Sequence, residues 1–309
     1  MKPKYYLGLF FLLILFLSLI RPVNYDEAYY IASSQQILEG KSLYSDFPFH
    51  QMPLSLYLYI PISELGFLSL IFGRLISVSL FFISYLILLK VLSKYSNLNT
   101  RLLFTVLFFL NLFLVDWIAT IRIYALSVFL LSIGIYYFDL FKEKKDKGIF
   151  LVISAASFTL LVFTKIVFIA NLLLFLIYAV SFLYRNKKTE LGKYLPLIFA
   201  SVLIPFILFF VLFGARLGYF YFNTFEINIV TRKFIDEPFL QGLIKFIGFF
   251  FIPQNFLLLI IIIISGYKYN VIERFLLLNI VIFVLVHILS RMHAEYLTSV
   301  SGLFILLAA

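Results

Sequence analysis

The chain of 309 residues contains no cysteine, which excludes a disulfide framework and any thiolate metal site. Charge is scarce as well. Asp, Glu, Lys and Arg together make up 13% of the residues, about half the usual share in a soluble domain. What fills the chain instead is apolar: 63% of it is hydrophobic and 20% aromatic. A soluble protein of this size could not hide that much Phe, Leu and Ile in one core. The apolar residues also come in long runs bounded by charges, the pattern of an all-α polytopic membrane protein. Soluble enzymes and nucleic-acid modules are excluded, and the bilayer is the expected partner.

Reading from one charge to the next gives ten candidate spans: Tyr5–Ile20, Leu65–Leu89, Leu102–Val115, Ile123–Phe138, Gly148–Thr164, Ile166–Tyr184, Tyr194–Ala215, Phe246–Tyr267, Phe275–Ser290 and Tyr296–Ala309. Several have fewer than the roughly 20 apolar residues that a bilayer needs. The short ones are expected to take Asp116, Arg122 or Lys165 into their helices, with the long basic side chains snorkelling. Tyr5–Ile20 is expected to stay as a first helix, because no small-residue cleavage pattern follows it and Arg21-Pro22 is a poor place to cut. The chain reads as one transmembrane domain over residues 1–309, with no soluble second domain expected.

The net charge of +10 invites a nucleic-acid reading until it is mapped. With the N-terminus on the cytoplasmic side, 15 of the 25 basic residues and 5 of the 15 acidic ones fall on that side. The opposite side balances to zero, so the whole excess obeys the positive-inside rule. The short cytoplasmic loops, such as Lys142–Lys147 and Arg185–Lys188, then read as solvated topogenic charge. Lys, Ile, Phe and Asn usage suggests an AT-rich prokaryotic or archaeal source, hence a plasma membrane.

Function is expected on the outer side, where two long loops mix carboxylates, bases and aromatics: residues 22–64 and 216–245. In the first, Asn24 followed three residues later by Glu27 resembles a capping box. Ala28, Ile31, Ala32, Gln35 and Leu38 then recur at helical spacing, and Gly40 is a stop signal. The spacing predicts a helix over Tyr25–Glu39 lying along the membrane surface, with Asp26 and Glu27 in its first turn. Helix N-terminal amides favour ionised carboxylates there. Adjacent residues point about 100° apart, so one carboxylate can face a cavity while the other caps; alternatively, both are simply good first-turn residues. The aromatics of the second loop, Gly218–Phe222, suit an interfacial belt, a prenyl-chain channel or a sugar-stacking surface.

The order of a first helix, Asp26-Glu27-Ala-Tyr-Tyr30, Ile37-Leu-Glu-Gly40, Leu43-Tyr44-Ser-Asp46-Phe47 and Pro53-Leu54 resembles the first outer loop of the polytopic GT-C glycosyltransferases. The protein O-mannosyltransferases and the aminoarabinose-to-lipid-A transferases are the nearest members. Gly73-Arg74-Leu75, Arg122-Ile-Tyr124, Thr164-Lys165 and Arg291-Met-His293-Ala-Glu-Tyr296-Leu297 resemble further family segments in the same order along nearly the whole chain. The chain departs at Gln51-Met52-Pro53, where the family commonly has Lys-Pro-Pro. It departs again in the spacing of His293 from Tyr296, often adjacent in relatives.

The resemblance implies a glycosyltransferase that passes a hexosyl or pentosyl group from a polyprenyl-phosphate donor to a protein, lipid or glycan acceptor on the outer face. Such a transfer needs a carboxylate for the acceptor hydroxyl and cations for the departing phosphate. By resemblance Asp26 is that carboxylate, and Glu27 acts beside it or joins it in binding a divalent metal, which some relatives use. Arg74, Arg122, Lys165, Arg291 and His293 lie at outer helix ends near one membrane plane and form the expected phosphate cluster; charge at such depth is costly unless paired. For Arg122 a pair with Asp116 is the structural alternative, and for Lys165 simple snorkelling. His50 is a possible first-loop contact. His287 reads as a core histidine, while Asp46, Glu64 and Glu226 receive no role. Two rival classes stay open. A transporter or lipid flippase would carry ionisable groups at mid-membrane in repeated halves, which the sequence does not show. A non-catalytic GT-C-like assembly subunit would need no carboxylate in this loop.

Overall fold

The computed structural model describes residues 3–110, 117–143 and 147–226. The expected spans Phe246–Tyr267, Phe275–Ser290 and Tyr296–Ala309, the residues Asp116, Arg291 and His293, and the second loop beyond residue 226 lie outside the described residues.

Among the described residues the structure is helical, with one isolated bridge between Leu43 and Phe47 in place of any strand. Helix α1 (Pro3–Ile20) turns through 87° into α2 (Tyr25–Leu38). A short helix α3 (Leu54–Tyr59) follows. Then come α4 (Phe67–Leu92), α5 (Leu98–Leu110), α6 (Ile123–Glu143), α7 (Gly148–Val162), α8 (Ile169–Asn186) and α9 (Leu191–Phe213). After a tight turn, α10 (Leu217–Tyr221) runs into a π-helical turn, Phe222–Glu226. Four of these segments are long and apolar enough to cross a bilayer, and α1 with α2 makes a fifth if the bent pair is one broken span. The 26 residues of α4 rise about 39 Å, more than a hydrocarbon core of about 30 Å. The chain is an integral membrane protein.

Helices stand at each of the first seven expected spans, with two physical differences. Arg122 and Lys165 do not enter helices; both sit in turns just before α6 and just after α7. Helix α6 gains its length at the opposite end, running on through Asp139 and Lys142 to Glu143. The segment after Arg216 is also helical rather than looped as far as Glu226.

Close packing of small residues holds the bundle. A Cβ on Gly134 of α6 would lie 2.7 Å from the Phe158 ring of α7, and Ser154 Oγ donates to Gly134 O at 2.7 Å. Without a hydrophobic drive between helices in lipid, such intimate contact and interhelical hydrogen bonds supply the association energy. Helix α7 has 15 residues, too short to stand alone in lipid, and packs against α6, α8 and α9. At the end of the bundle away from α2, Asp139 is 1% exposed. It accepts from Lys94 Nζ at 2.7 Å and from the Tyr95 hydroxyl. Lys94 also reaches Glu143 at 2.8 Å. The charged groups at this end thus include a buried, paired carboxylate and not only solvated charge.

Helix α2 forms as its sequence dictates. Asn24 takes an extended conformation at the N-cap and accepts from the Asp26 amide at 3.1 Å. Glu27 reaches back to the Asn24 amide at 3.0 Å, completing the capping box. Gly40, at φ +82°, takes the left-handed conformation that ends the helix at low cost. One face of α2, with Glu27, Tyr30, Ser33 and Ser34, is buried. The helix therefore lies across the end of the bundle, at right angles to α1, and forms the floor of the loop face.

Candidate active site

The two acidic residues at the start of α2 diverge. Glu27 is fully buried, 0% exposed, opposite Arg74 of α4 at 1%. Arg74 Nε donates to Glu27 Oε1 at 2.9 Å and Nη2 to Oε2 at 2.7 Å, a two-pronged pair. Oε1 also accepts the Ile121 amide at 3.2 Å, so four donors fill the carboxylate. Burial pushes the Glu27 pKa up. The Arg74 hydrogen bonds, the Asn24 and Ile121 amides and the Arg74 charge outweigh it, and the carboxyl ends below its usual value. Arg74 spends its other donors on the end of α1, giving Nη1 to Ser18 O at 2.6 Å and Arg21 O at 2.8 Å. Its Nη2 reaches Pro22 O at 3.1 Å. Ser18 O is a carbonyl that the helix terminus leaves open, and Arg21 O and Pro22 O belong to the turn beyond it.

Gly73 explains why an arginine can sit so deep. A Cβ there would approach Ile121 Cδ1 to 2.4 Å and Cγ1 to 2.8 Å. The bare glycine lets the 117–122 turn press against α4 and bring the Ile121 amide onto Glu27.

Asp26 points the other way, one residue earlier on the helix. Its side chain is 44% exposed, and Oδ2 stands 3.0 Å from Arg122 Nη2. Arg122 is 5% exposed. Its guanidinium lies over the Trp117 ring at 4.1 Å, and its Nε is buried with no hydrogen-bond partner among the described residues. The Tyr59 hydroxyl fixes the Arg122 carbonyl at 3.1 Å, and burial raises that tyrosine's pKa to about 12. Asp26, Tyr29, Tyr30, His50, Gln51, Arg122, Ile123 and Tyr124 line one open pocket of about 120 Å³.

His50 stacks on Tyr29 with ring centres 5.0 Å apart, and its Nδ1 lies 3.2 Å from the Tyr29 hydroxyl. Burial lowers the His50 pKa; Asp26 opposes that and the Lys165 charge adds to it, so the ring is held below the usual histidine value. Burial likewise lifts Tyr29 to about 12, so both rings are neutral at pH 7. Lys165 is 9% exposed, and the turn that carries it is docked to α3 by Leu54 N to Phe163 O at 3.0 Å.

The structure thus brings Asp26, Arg122 and His50 to one pocket, with Lys165 in electrostatic reach. It gives Glu27 and Arg74 to each other, beneath the pocket. Tyr29, Tyr30 and Gln51 also line it. Tyr29 and Tyr30 stand inside the quoted Asp26–Tyr30 segment, so their helical register beside Asp26 was the available signal.

The residues do not fit a divalent ion at Asp26 and Glu27. Such a cation wants several free oxygens, whereas Glu27 already accepts four donors and Asp26 faces a guanidinium. No group of three or more His, Asp or Glu among the described residues could hold a metal.

No protein-family model matches the chain, and no curated protein is significantly similar in sequence. A solved structure is similar in fold: ArnT from Cupriavidus metallidurans bound to undecaprenyl phosphate. It superposes with a TM-score of 0.67 over 99% of this chain at 14% identity. The chain has the polytopic helical fold of that ArnT structure. It spans 60% of the length of that ArnT chain. In this fold the α2 floor comes from the segment that begins Asp26-Glu27, and the turn before α6 from the one that ends at Arg122.

Proposed function

We propose that this chain is a membrane glycosyltransferase that moves a sugar from a polyprenyl-phosphate donor to an acceptor hydroxyl on the outer face of the plasma membrane. The observation that carries the reading is the Asp26–Arg122 pair, a part-exposed carboxylate against a buried guanidinium at 3.0 Å in an open pocket, in a chain with a GT-C-like fold. The undecaprenyl phosphate bound by the ArnT neighbour supports a donor of that lipid class.

In this reading the acceptor hydroxyl approaches Asp26. Its oxygen attacks the anomeric carbon, the bond from that carbon to the phosphate oxygen breaks, and the polyprenyl phosphate leaves with the electron pair. The hydroxyl proton passes to Asp26. Arg122 and Lys165 oppose the charge gathering on the phosphate, joined by Arg291 and His293. Glu27 and Arg74 position Asp26 by fixing the first turn of α2 against α1 and α4. No step passes through a metal. The sugar is a hexose or pentose, and the acceptor a protein, lipid or glycan.

The test is sugar transfer by the purified protein in nanodiscs from a panel of polyprenyl-phosphate sugars, with and without divalent metal. Asp26→Asn is the control. Turnover falling at least about 100-fold in Asp26→Asn supports the reading. No turnover from any donor, with donor binding equal in both proteins, overturns it in favour of an assembly subunit.

A further inference from the structure

Tyr44 is the sole non-glycine residue with positive φ among the described residues, at +73°. A bulky aromatic side chain in the left-handed region is strained and persists only where surrounding contacts over-determine it. Those contacts connect two segments far apart in sequence. Tyr44 is 2% exposed, and its ring meets Phe213 at 5.7 Å and Phe220 at 5.2 Å, both edge-on. Asn223, in the π-helical turn, donates Nδ2 to the Tyr44 carbonyl at 3.1 Å and to Tyr219 O at 2.8 Å. The Tyr44 hydroxyl in turn donates to the Gln51 carbonyl at 2.9 Å, and Gln51 lines the pocket beside His50 and Asp26. π-helical turns are rare and tend to mark functional sites.

We infer that Asn223 and Tyr44 form a latch through which the π-helical turn at Phe222–Glu226 positions the Gln51 wall of the Asp26 pocket. Asn223 and Tyr44 are positioning residues: neither lines the pocket, and both act through the backbone of Gln51 and the adjoining His50. The latch pins residues 44–51 from both ends of one short arc, at the Tyr44 carbonyl and at the Gln51 carbonyl. Whatever shifts the π-helical turn therefore shifts the pocket wall. This rests on the proposed function for its catalytic consequence, since a wall displaced by about 1 Å costs up to about 100-fold in a transfer that depends on alignment.

The experiment pairs amide hydrogen exchange with steady-state transfer, both on the full chain in nanodiscs. Asn223→Asp removes the donor while keeping the side chain's size, Tyr44→Phe removes only the hydroxyl, and Asn223→Gln restores a donor. Asn186→Ala, at the far end of α8, is the control. The latch predicts that exchange of peptides covering residues 42–52 rises at least about 10-fold in Asn223→Asp and Tyr44→Phe, with α4 unchanged. It predicts that kcat falls about 10-fold while the donor KM moves less than about 2-fold. Asn223→Gln should recover part of both, and Asn186→Ala should match the wild type. Unchanged exchange at 42–52 overturns the latch whatever the activity. Faster exchange with unchanged kcat overturns its positioning role. If the wild type transfers from no donor, the proposed function and this catalytic consequence fall together, and the latch itself is judged by the exchange.

Discussion

Glu27 and Arg74, 47 residues apart in sequence, meet as a two-pronged ion pair with neither side chain more than 1% exposed. The pair joins three helices. Glu27 belongs to α2, Arg74 to α4, and the carbonyls that Arg74 caps belong to the end of α1 and the turn beyond it. Removing one partner strands a charge away from solvent. Arg74→Ala and Glu27→Ala should each destabilise the protein by about 3–5 kcal/mol, and the double variant by clearly less than the sum. Thermal unfolding in detergent, followed by Trp117 fluorescence, measures this. Additive losses would show that the pair is not a unit.

Gly73→Ala tests the close approach behind that pair. The new methyl would press on Ile121, whose amide holds Glu27, and overpacking of this kind costs about 1–3 kcal/mol. Ile121→Val removes the Cδ1 that lies nearest and should recover part of the loss in the double variant. No recovery would place the strain elsewhere on α4.

How much of this was legible follows from range. The capping box, the stop at Gly40 and the span of α2 depend on residues within one helix, and the sequence reading found all three. The divergence of Asp26 and Glu27 followed from helix geometry alone. Which of the two was buried did not, because the answer lies at Arg74 on another helix. Arg74 itself was expected beside the donor phosphate, since a sequence shows that a charge is deep but not which carbonyls surround it. The Asp139–Lys94 contact was missed for the same reason: Asp139 lies on α6 and Lys94 in the turn after α4, in segments that both read as merely basic. The helix after Arg216 was hidden by an aromatic run headed by Gly218, with no clean apolar period.

Acid should weaken the loop face in two stages. Glu27 in the fold is held below its usual value and His50 likewise below its own, so in both cases the unfolded chain binds the proton more readily. The His50 contribution is complete above its unfolded pKa of about 6.5 and fades as pH falls through that value. The Glu27 contribution is complete above about 4.3 and is lost as pH falls toward its lower folded value. The melting temperature should therefore decline below about pH 6.5 and again below about pH 4.3. His50→Gln should flatten only the first decline; if both survive it, another group governs the upper one.

Arg122 offers a direct optical readout, because its guanidinium lies over the single tryptophan of the chain. Titration with polyprenyl phosphate should change Trp117 emission as the guanidinium turns toward the anion. Arg122→Lys, which loses both the planar stack and the fork, should abolish the change and lower transfer about 100-fold. An emission change retained in Arg122→Lys would remove Arg122 from the phosphate site.

Asp139→Ala should cost about 1–3 kcal/mol by leaving the Tyr95 hydroxyl and Lys94 without their shared acceptor, without changing donor affinity. A parallel loss of donor binding would mean that this end of the bundle communicates with the pocket.

The capping of α1 by Arg74 also sets an order of assembly. When α1 first enters the membrane, the carbonyls of Ser18, Arg21 and Pro22 have no protein partner, because their donor is still to be synthesised on α4. The first helix and the α2 floor can close into their final geometry only after α4 has been inserted beside them. The Asp26 pocket is therefore completed late in biogenesis, and a ribosome stalled before Arg74 would leave a tethered first helix with no pocket above it.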